Sequence, residues 1–132
     1  MKRILILIAL FYLSASQIAV GQEDGQLGFE CSTESGNSVD FFQVNMVEER
    51  GRMFEEREQA WGSWLPMQVL RDEIRIYYGS LYNRHLFSLN RTTLKGTRSG
   101  SLIVWSCAMM NWDEVDQKAA AHLAELNKDR VF

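Results

Sequence analysis

Two cysteines and two histidines are the whole of the thiol and imidazole chemistry in 132 residues: Cys31, Cys107, His85 and His122. The cysteines lie far apart. Neither belongs to a C-x-x-C or has histidines clustered beside it, so local redox or zinc chemistry has no spacing to work with. A covalent bridge between them is the expected use. Across so long a loop it stabilises the fold by about 4.5 kcal/mol on the chain-entropy account.

His122 falls on or beside an apolar helical stripe and reads as a packed or half-exposed helix residue. His85 follows Arg84, whose cation disfavours imidazolium, and nothing near it in sequence calls for a base. A serine hydrolase needs a nucleophile held by a base, and no G-x-S-x-G is present. There is no H-E-x-x-H and no EF-hand loop. Glu55, Glu56 and Glu58 form an acidic cluster that Arg52 and Arg57 largely neutralise, which reads as a solvated charged face. A glycosidase needs two carboxylates across a cleft, and among 17 acidic residues the spacing singles out no pair. Gly96 to Ser101 has the composition of a phosphate loop but matches neither nucleotide pattern, so it reads as a hairpin turn. No catalytic residue, metal or cofactor is assigned from the sequence. Asn90-Arg91-Thr92 is a glycosylation sequon, relevant only in a eukaryotic cell.

Binding has a better candidate. Trp61, Trp64 and Leu65, with Tyr77, Tyr82 and Arg84, gather aromatic area on predicted loops and nearby strands, and such residues are enriched at interfaces. The competing use is structural, with the tryptophans capping the open end of a sheet. The partner is an unknown protein or small molecule. More acidic than basic residues, for a formal charge of −3, make nucleic acid and anionic membrane poor candidates.

The elements that position these residues begin after a leader. Lys2 and Arg3 precede the apolar run Ile4 to Leu13, followed by small and polar residues to Gly21. This is a secretory signal layout over residues 1–21. The apolar core is shorter than the roughly 20 residues a membrane helix needs. Cleavage after Gly21 is preferred to cleavage after Ser16. No stable membrane span is then left, and the destination is the periplasm or the extracellular space, where cysteines pair. Residues 22–28 read as a flexible leader and 29–132 as a single β-rich domain.

Within that domain the period is two. Phe29 to Ser32 makes a first strand. Val39 to Val47 follows, with Asp40, Phe42, Val44 and Met46 on its core face and Phe41 on the other. The charge-dense stretch after it reads as a hairpin, turning at Glu49 to Gly51 and returning through Arg52 to Glu56. Trp61 to Pro66 is a loop and Met67 to Leu70 a strand. Ile74, Ile76 and Tyr78 share one face of the next strand. Phe87 and Leu89 point inward from Arg84 to Arg91, and a short strand surrounds Leu94. Ile103, Trp105, Cys107 and Met109 share a face of the closing strand. The period then changes to that of a helix over 112–127. Asn111 and Glu114 form its capping box, and Val115, Ala119, His122, Leu123 and Leu126 its apolar stripe.

Leu89-Asn90-Arg91-Thr92-Thr93-Leu94, followed by Trp105-Ser106-Cys107, resembles the ending of many small exported bacterial proteins of unknown function. In those, a strand runs into an Asn-Arg or Asp-Arg turn, then a short strand, then a closing strand ending in cysteine. The resemblance spans Phe29 to Cys107 and implies a β-meander and an envelope location, with no activity to carry over. Periplasmic lysozyme inhibitors share the size, export and single bridge, but their loop motif is not found here.

The expected fold is therefore mainly β (α+β): an antiparallel β-meander curled into a half-barrel, with a C-terminal helix and one disulfide. The expected function is a non-catalytic envelope protein binding a partner through aromatic loops, an inhibitor of a lysozyme-type hydrolase being one version. The alternatives are a small hydrolase with an unlocated carboxylate pair and a carrier of a small apolar ligand.

Overall fold

The computed structural model describes residues 25–79 and 84–128. The described strands are β1 (Gln26–Thr33), β2 (Val39–Asn45), β3 (Arg50–Glu55), β4 (Ala60–Trp61), β5 (Leu65–Val69), β6 (Glu73–Tyr77), β7 (His85–Asn90), β8 (Lys95–Arg98) and β9 (Val104–Met110). One helix, α1 (Trp112–Asn127), follows. The expected signal segment over 1–21, and Tyr82, lie outside the described residues.

Each strand pairs antiparallel with the next, except that β4 is a two-residue ribbon laid on β3, which continues to β5. The last strand returns to the first, with β9 pairing β1 from Gly28↔Met110 to Thr33↔Trp105. Eight strands thus close into a barrel, where the sequence pattern had suggested an open half-barrel. Closure satisfies the ladder groups that an open edge would leave unpaired. Cys31 lies opposite Cys107 at this seam, with Cα atoms 4.0 Å apart, and the disulfide joins them. The bridge thereby staples the first strand to the last.

Alternation fills the interior. Phe42 and Val44 of β2, Ile74 and Ile76 of β6, and Phe87 and Leu89 of β7 are all buried in one cluster. The void they share with Phe29 is about 10 Å³, scarcely room for one water. A carrier needs a chamber of roughly 300 Å³ or more. The barrel interior lined by these residues is therefore a packed core. Gly96 is part of that packing, because a Cβ there would stand 2.3 Å from the Phe87 ring.

A second, smaller core lies outside the barrel. Phe41 and Phe54 point outward from β2 and β3 and are buried by Val115 and Ala119 of α1. The covered second face expected from Phe41 is thus present, and the helix covers it. Asn111 caps α1 by accepting a hydrogen bond from the Glu114 amide at 2.8 Å. The helix approaches β1 closely at Gly28, where a Cβ would meet Val115 Cγ1 at 2.6 Å. Gly28 is therefore part of a strand that begins at Gln26, not the end of a flexible leader.

Other differences have local causes. The charged stretch is a hairpin as expected, but it turns earlier: the Asn45 side chain accepts from the Val47 and Glu48 amides, and β3 starts at Arg50. Strand β5 begins at Leu65 and includes Pro66 near its start, a position proline tolerates. Beside a register shift between Ile76 and Tyr77, Tyr77 is buried on the face of Gln68 and Tyr78 is 51% exposed. Ile103 and Met109 do not bury with Trp105. Ile103 precedes β9, and β8 accompanies β9 only from Val104 to Ser106, so Met109 runs past its neighbour.

Candidate functional site

Two clusters of functional side chains meet the helix, one at each half. The first holds the tryptophans. Alternation on β3 turns Arg50 and Arg52 outward, beside Gln43 of β2. The Arg52 Nε and Nη2 both donate to Gln43 Oε1, at 3.0 and 2.8 Å. The Arg52 guanidinium lies 4.4 Å from the Trp64 ring centre and 5.4 Å from that of Trp61. Arg50 lies 4.5 Å from Trp64, whose ring sits 5.5 Å from that of Trp112. The indole N–H of Trp112 reaches the backbone carbonyls of Leu27 and Val44, both at 3.1 Å. Trp61 donates to Asp116 at 2.8 Å and packs edge-on against Phe54. Burial lowers the pKa of Arg52, Asp116 opposes that shift and Arg50 adds to it.

Trp61 and Trp64 are thus half-buried, with Arg52 against both rings, and they bind β3 and β4 to the first half of α1. Leu65 packs against the barrel core. Tyr77 is buried, and its hydroxyl donates to Gln68 Oε1 at 2.8 Å. Arg84 is exposed and lies 5.7 Å from the ring of Tyr78, not of Tyr77. The five of the six candidate binding residues that are described therefore do not form one exposed patch. Trp61 and Trp64 come together, Leu65 packs on the core, Tyr77 is buried, and Arg84 stands elsewhere. Asn90 of the sequon is exposed on the turn after β7, its side chain accepting from the Thr92 and Thr93 amides at 2.9 Å.

The second cluster is a cleft of about 370 Å³ where the barrel mouth meets the second half of α1, lined by Ser38, Asp40, Glu56, Arg98, Trp105 and His122 among others. Asp40 occupies the core-facing alternation of β2, two residues before Phe42, and so points into the mouth. Arg98, the last residue of β8, reaches across to it. Its Nη2 donates to Asp40 Oδ2 and lies 3.4 Å from Met53 Sδ, and its guanidinium stands 5.4 Å from the Trp105 ring centre. From the outside, His122 Nε2 meets Glu56 Oε1 at 2.8 Å, with its ring 5.5 Å from that of Phe41.

Burial pushes the Asp40 carboxyl above the ordinary aspartate value and outweighs the pull of Arg98. Glu56 adds to the rise and His122 opposes it. A second depression, along the β3–β4 turn, shares Asp40 and Glu56 with the cleft and is lined by Glu55, Arg57 and Glu58 as well.

Nothing in local spacing pointed to this cleft. His122 was expected as a packed helix residue and Glu56 as part of a solvated face. The signal that was present is Asp40 itself, a carboxylate in the same alternation as Phe42 and Val44. No protein-family model, no curated protein and no solved structure matches this chain.

Proposed function

We propose that the protein is a non-catalytic binding domain working outside the cytoplasm, and that its ligand seats in the charged cleft, not on the tryptophans. The location is supported by the secretory layout of residues 1–21 and by the disulfide, a bond that persists in oxidising compartments. Among the described residues no helix is long and apolar enough to cross a membrane. The resemblance to small exported bacterial proteins agrees with that location.

The observation that carries the binding site is Asp40. It is a carboxylate held in a low-dielectric mouth, where burial outweighs its ion pair with Arg98. An ion pair of that kind is poor evidence of a contribution to stability. A perturbed group in a cleft is what a functional site presents. A hydrolase would also need converging carboxylates, and Asp40 and Glu56 do line one cleft. Binding is favoured because Arg98 and His122 already engage them, and among the described residues no hydroxyl or thiol is hydrogen-bonded to His122.

Native mass spectrometry of the protein recovered from its own envelope tests the proposal. Wild type and Trp64→Ala are expected to carry the same bound species, and Asp40→Asn to lose it. Loss from Trp64→Ala with retention by Asp40→Asn, both folded by circular dichroism, would return the site to the tryptophans.

A second reading, a protein partner seated on the barrel rim, is favoured by one run of residues. Leu102 is 100% exposed and is followed by Ile103 and Val104, at 57% and 50%. Large exposed apolar runs mark interaction sites. In the same experiment, loss of a protein partner from Leu102→Ser and not from Asp40→Asn would select this reading.

A further inference from the structure

We infer that the cleft takes a small zwitterion of about dipeptide size, a short peptide with both ends free. This inference rests on the cleft being the binding site. The cleft is lined by two preformed pairs, each of one acid and one base, supplied by different elements. Asp40 and Arg98 come from β2 and β8. Glu56 and His122 come from the β3–β4 turn and α1.

At Asp40 and Arg98 a ligand of one sign is attracted by one member and repelled by the other, and Glu56 repels an anion as well. A neutral ligand gains only hydrogen bonds. A ligand carrying an ammonium and a carboxylate meets complementary charge at both, because its ammonium is taken by Asp40 and Glu56 and its carboxylate by Arg98. Charge-assisted hydrogen bonds of this kind are roughly twice as strong as neutral ones. Ser38 adds a hydroxyl to the lining, and Val39 and Leu126 supply apolar contact for a side chain. The volume of about 370 Å³ lies in the range of small-molecule pockets, roughly 300–1,000 Å³.

The exposure of the two pairs suits exchange with solvent-borne charge. The Asp40 side chain is 18% exposed and Arg98 36%, while His122 and Glu56 are 27% and 51%. Each partner is reachable, yet screened enough for a second charge to be felt. No bond is made or broken: the ligand re-pairs charges already present.

The test is calorimetric titration of the chain from Gln22 onward with the dipeptide Ala-Leu, N-acetyl-Ala-Leu, Ala-Leu amide, and the doubly capped peptide. The free dipeptide is expected to bind and each singly capped form to bind at least about tenfold more weakly, a factor that corresponds to one lost charge contact. The doubly capped form is expected to give no heat. Arg98→Met should lose the preference for a free carboxylate while keeping that for a free ammonium. The capped series needs no substitution, so a variant that fails to fold does not blunt the test. No heat from the free dipeptide at about 10 mM, or capped forms within about threefold of it, would overturn the inference. The binding-site proposal survives that outcome if Asp40→Asn still releases the native bound species, so the two fail separately.

Discussion

The tryptophan cluster meets the first half of α1 and the charged cleft its second half, and the two use their arginines in opposite ways. At the tryptophans, Arg52 spends its hydrogen bonds on Gln43 and its flat faces on Trp61 and Trp64. The indoles of Trp61 and Trp112 spend their N–H groups on Asp116 and on two strand carbonyls. Rings and donors are used up within the molecule. In the cleft, Arg98 and His122 meet carboxylates instead, and burial leaves Asp40 worse off than it would be in water. Aromatic residues mark an interface only when their faces stay open. A charge held at a cost in a concave place is the better marker here.

If the tryptophans are a clamp, removing them lowers stability and spares binding. Trp112→Ala should cost about 3 kcal/mol of unfolding free energy, the lower part of the range for truncating tryptophan because the ring is half-buried. Dipeptide affinity of the folded protein should stay within about twofold. Urea unfolding and calorimetry measure the two. A stability loss below about 0.5 kcal/mol would mean that the helix is held elsewhere. Gly28→Ala tests the same clamp from the strand side. Its methyl has no room beside Val115, and overpacking of this kind costs roughly 1–3 kcal/mol. Trp61→Phe keeps the edge contact with Phe54 and removes the hydrogen bond to Asp116, so a loss of about 1 kcal/mol is expected. An unchanged urea midpoint would show that this bond contributes nothing.

Much of the scaffold under both clusters was legible, because its signals are local. Asn111 and Glu114 announce the start of α1, the alternation from Val39 to Asn45 announces β2, and two lone cysteines, in a chain whose first residues read as a secretory leader, announce a bridge. The features that were not legible depend on residues distant in sequence. Closure of the barrel needs β9 to return to β1. The cleft needs Arg98 to reach Asp40 across 58 positions and His122 to reach Glu56 across 66. Periodicity carries no information about such pairs. Tyr77 lies on the face of Arg75 and Gln68, as alternation assigns it, yet it is buried there while Tyr78 is exposed, and periodicity does not report which outer positions are covered. The tryptophans drew attention by type, but what decides their role is the arginine between them, which spacing along β3 does not reveal.

The smallest effect is the sharpest probe of the cleft, because its carboxylate, unlike the buried cation at the tryptophans, can be neutralised within an accessible pH range. The Asp40 carboxyl lies above its ordinary 3.8 when folded, chiefly through burial. A group with a raised folded-state pKa binds its proton more tightly in the native state. Wild type therefore gains stability as pH falls from above that raised value toward 3.8, and carries the penalty of an ionised Asp40 at neutral pH. Glu73 acts in the opposite direction. The Ser88 hydroxyl and Arg75 hold its pKa below the ordinary 4.5, so its stabilisation is present above 4.5 and is lost as pH falls through the depressed value. Both proteins in the comparison keep Glu73, so its contribution cancels in the difference between wild type and Asp40→Asn. From about pH 7 to about pH 3, that difference in melting temperature should move in favour of wild type as the acid range is entered, with less than about 1 kcal/mol separating the two at neutral pH. Arg98, Glu56 and His122 all face Asp40, so Glu56→Gln should narrow the window by removing a charge that helps raise it. A difference that stays flat would mean that Asp40 is solvated and at ease with Arg98. The cleft would then be a second clamp, and the contrast that assigns binding to it would be gone.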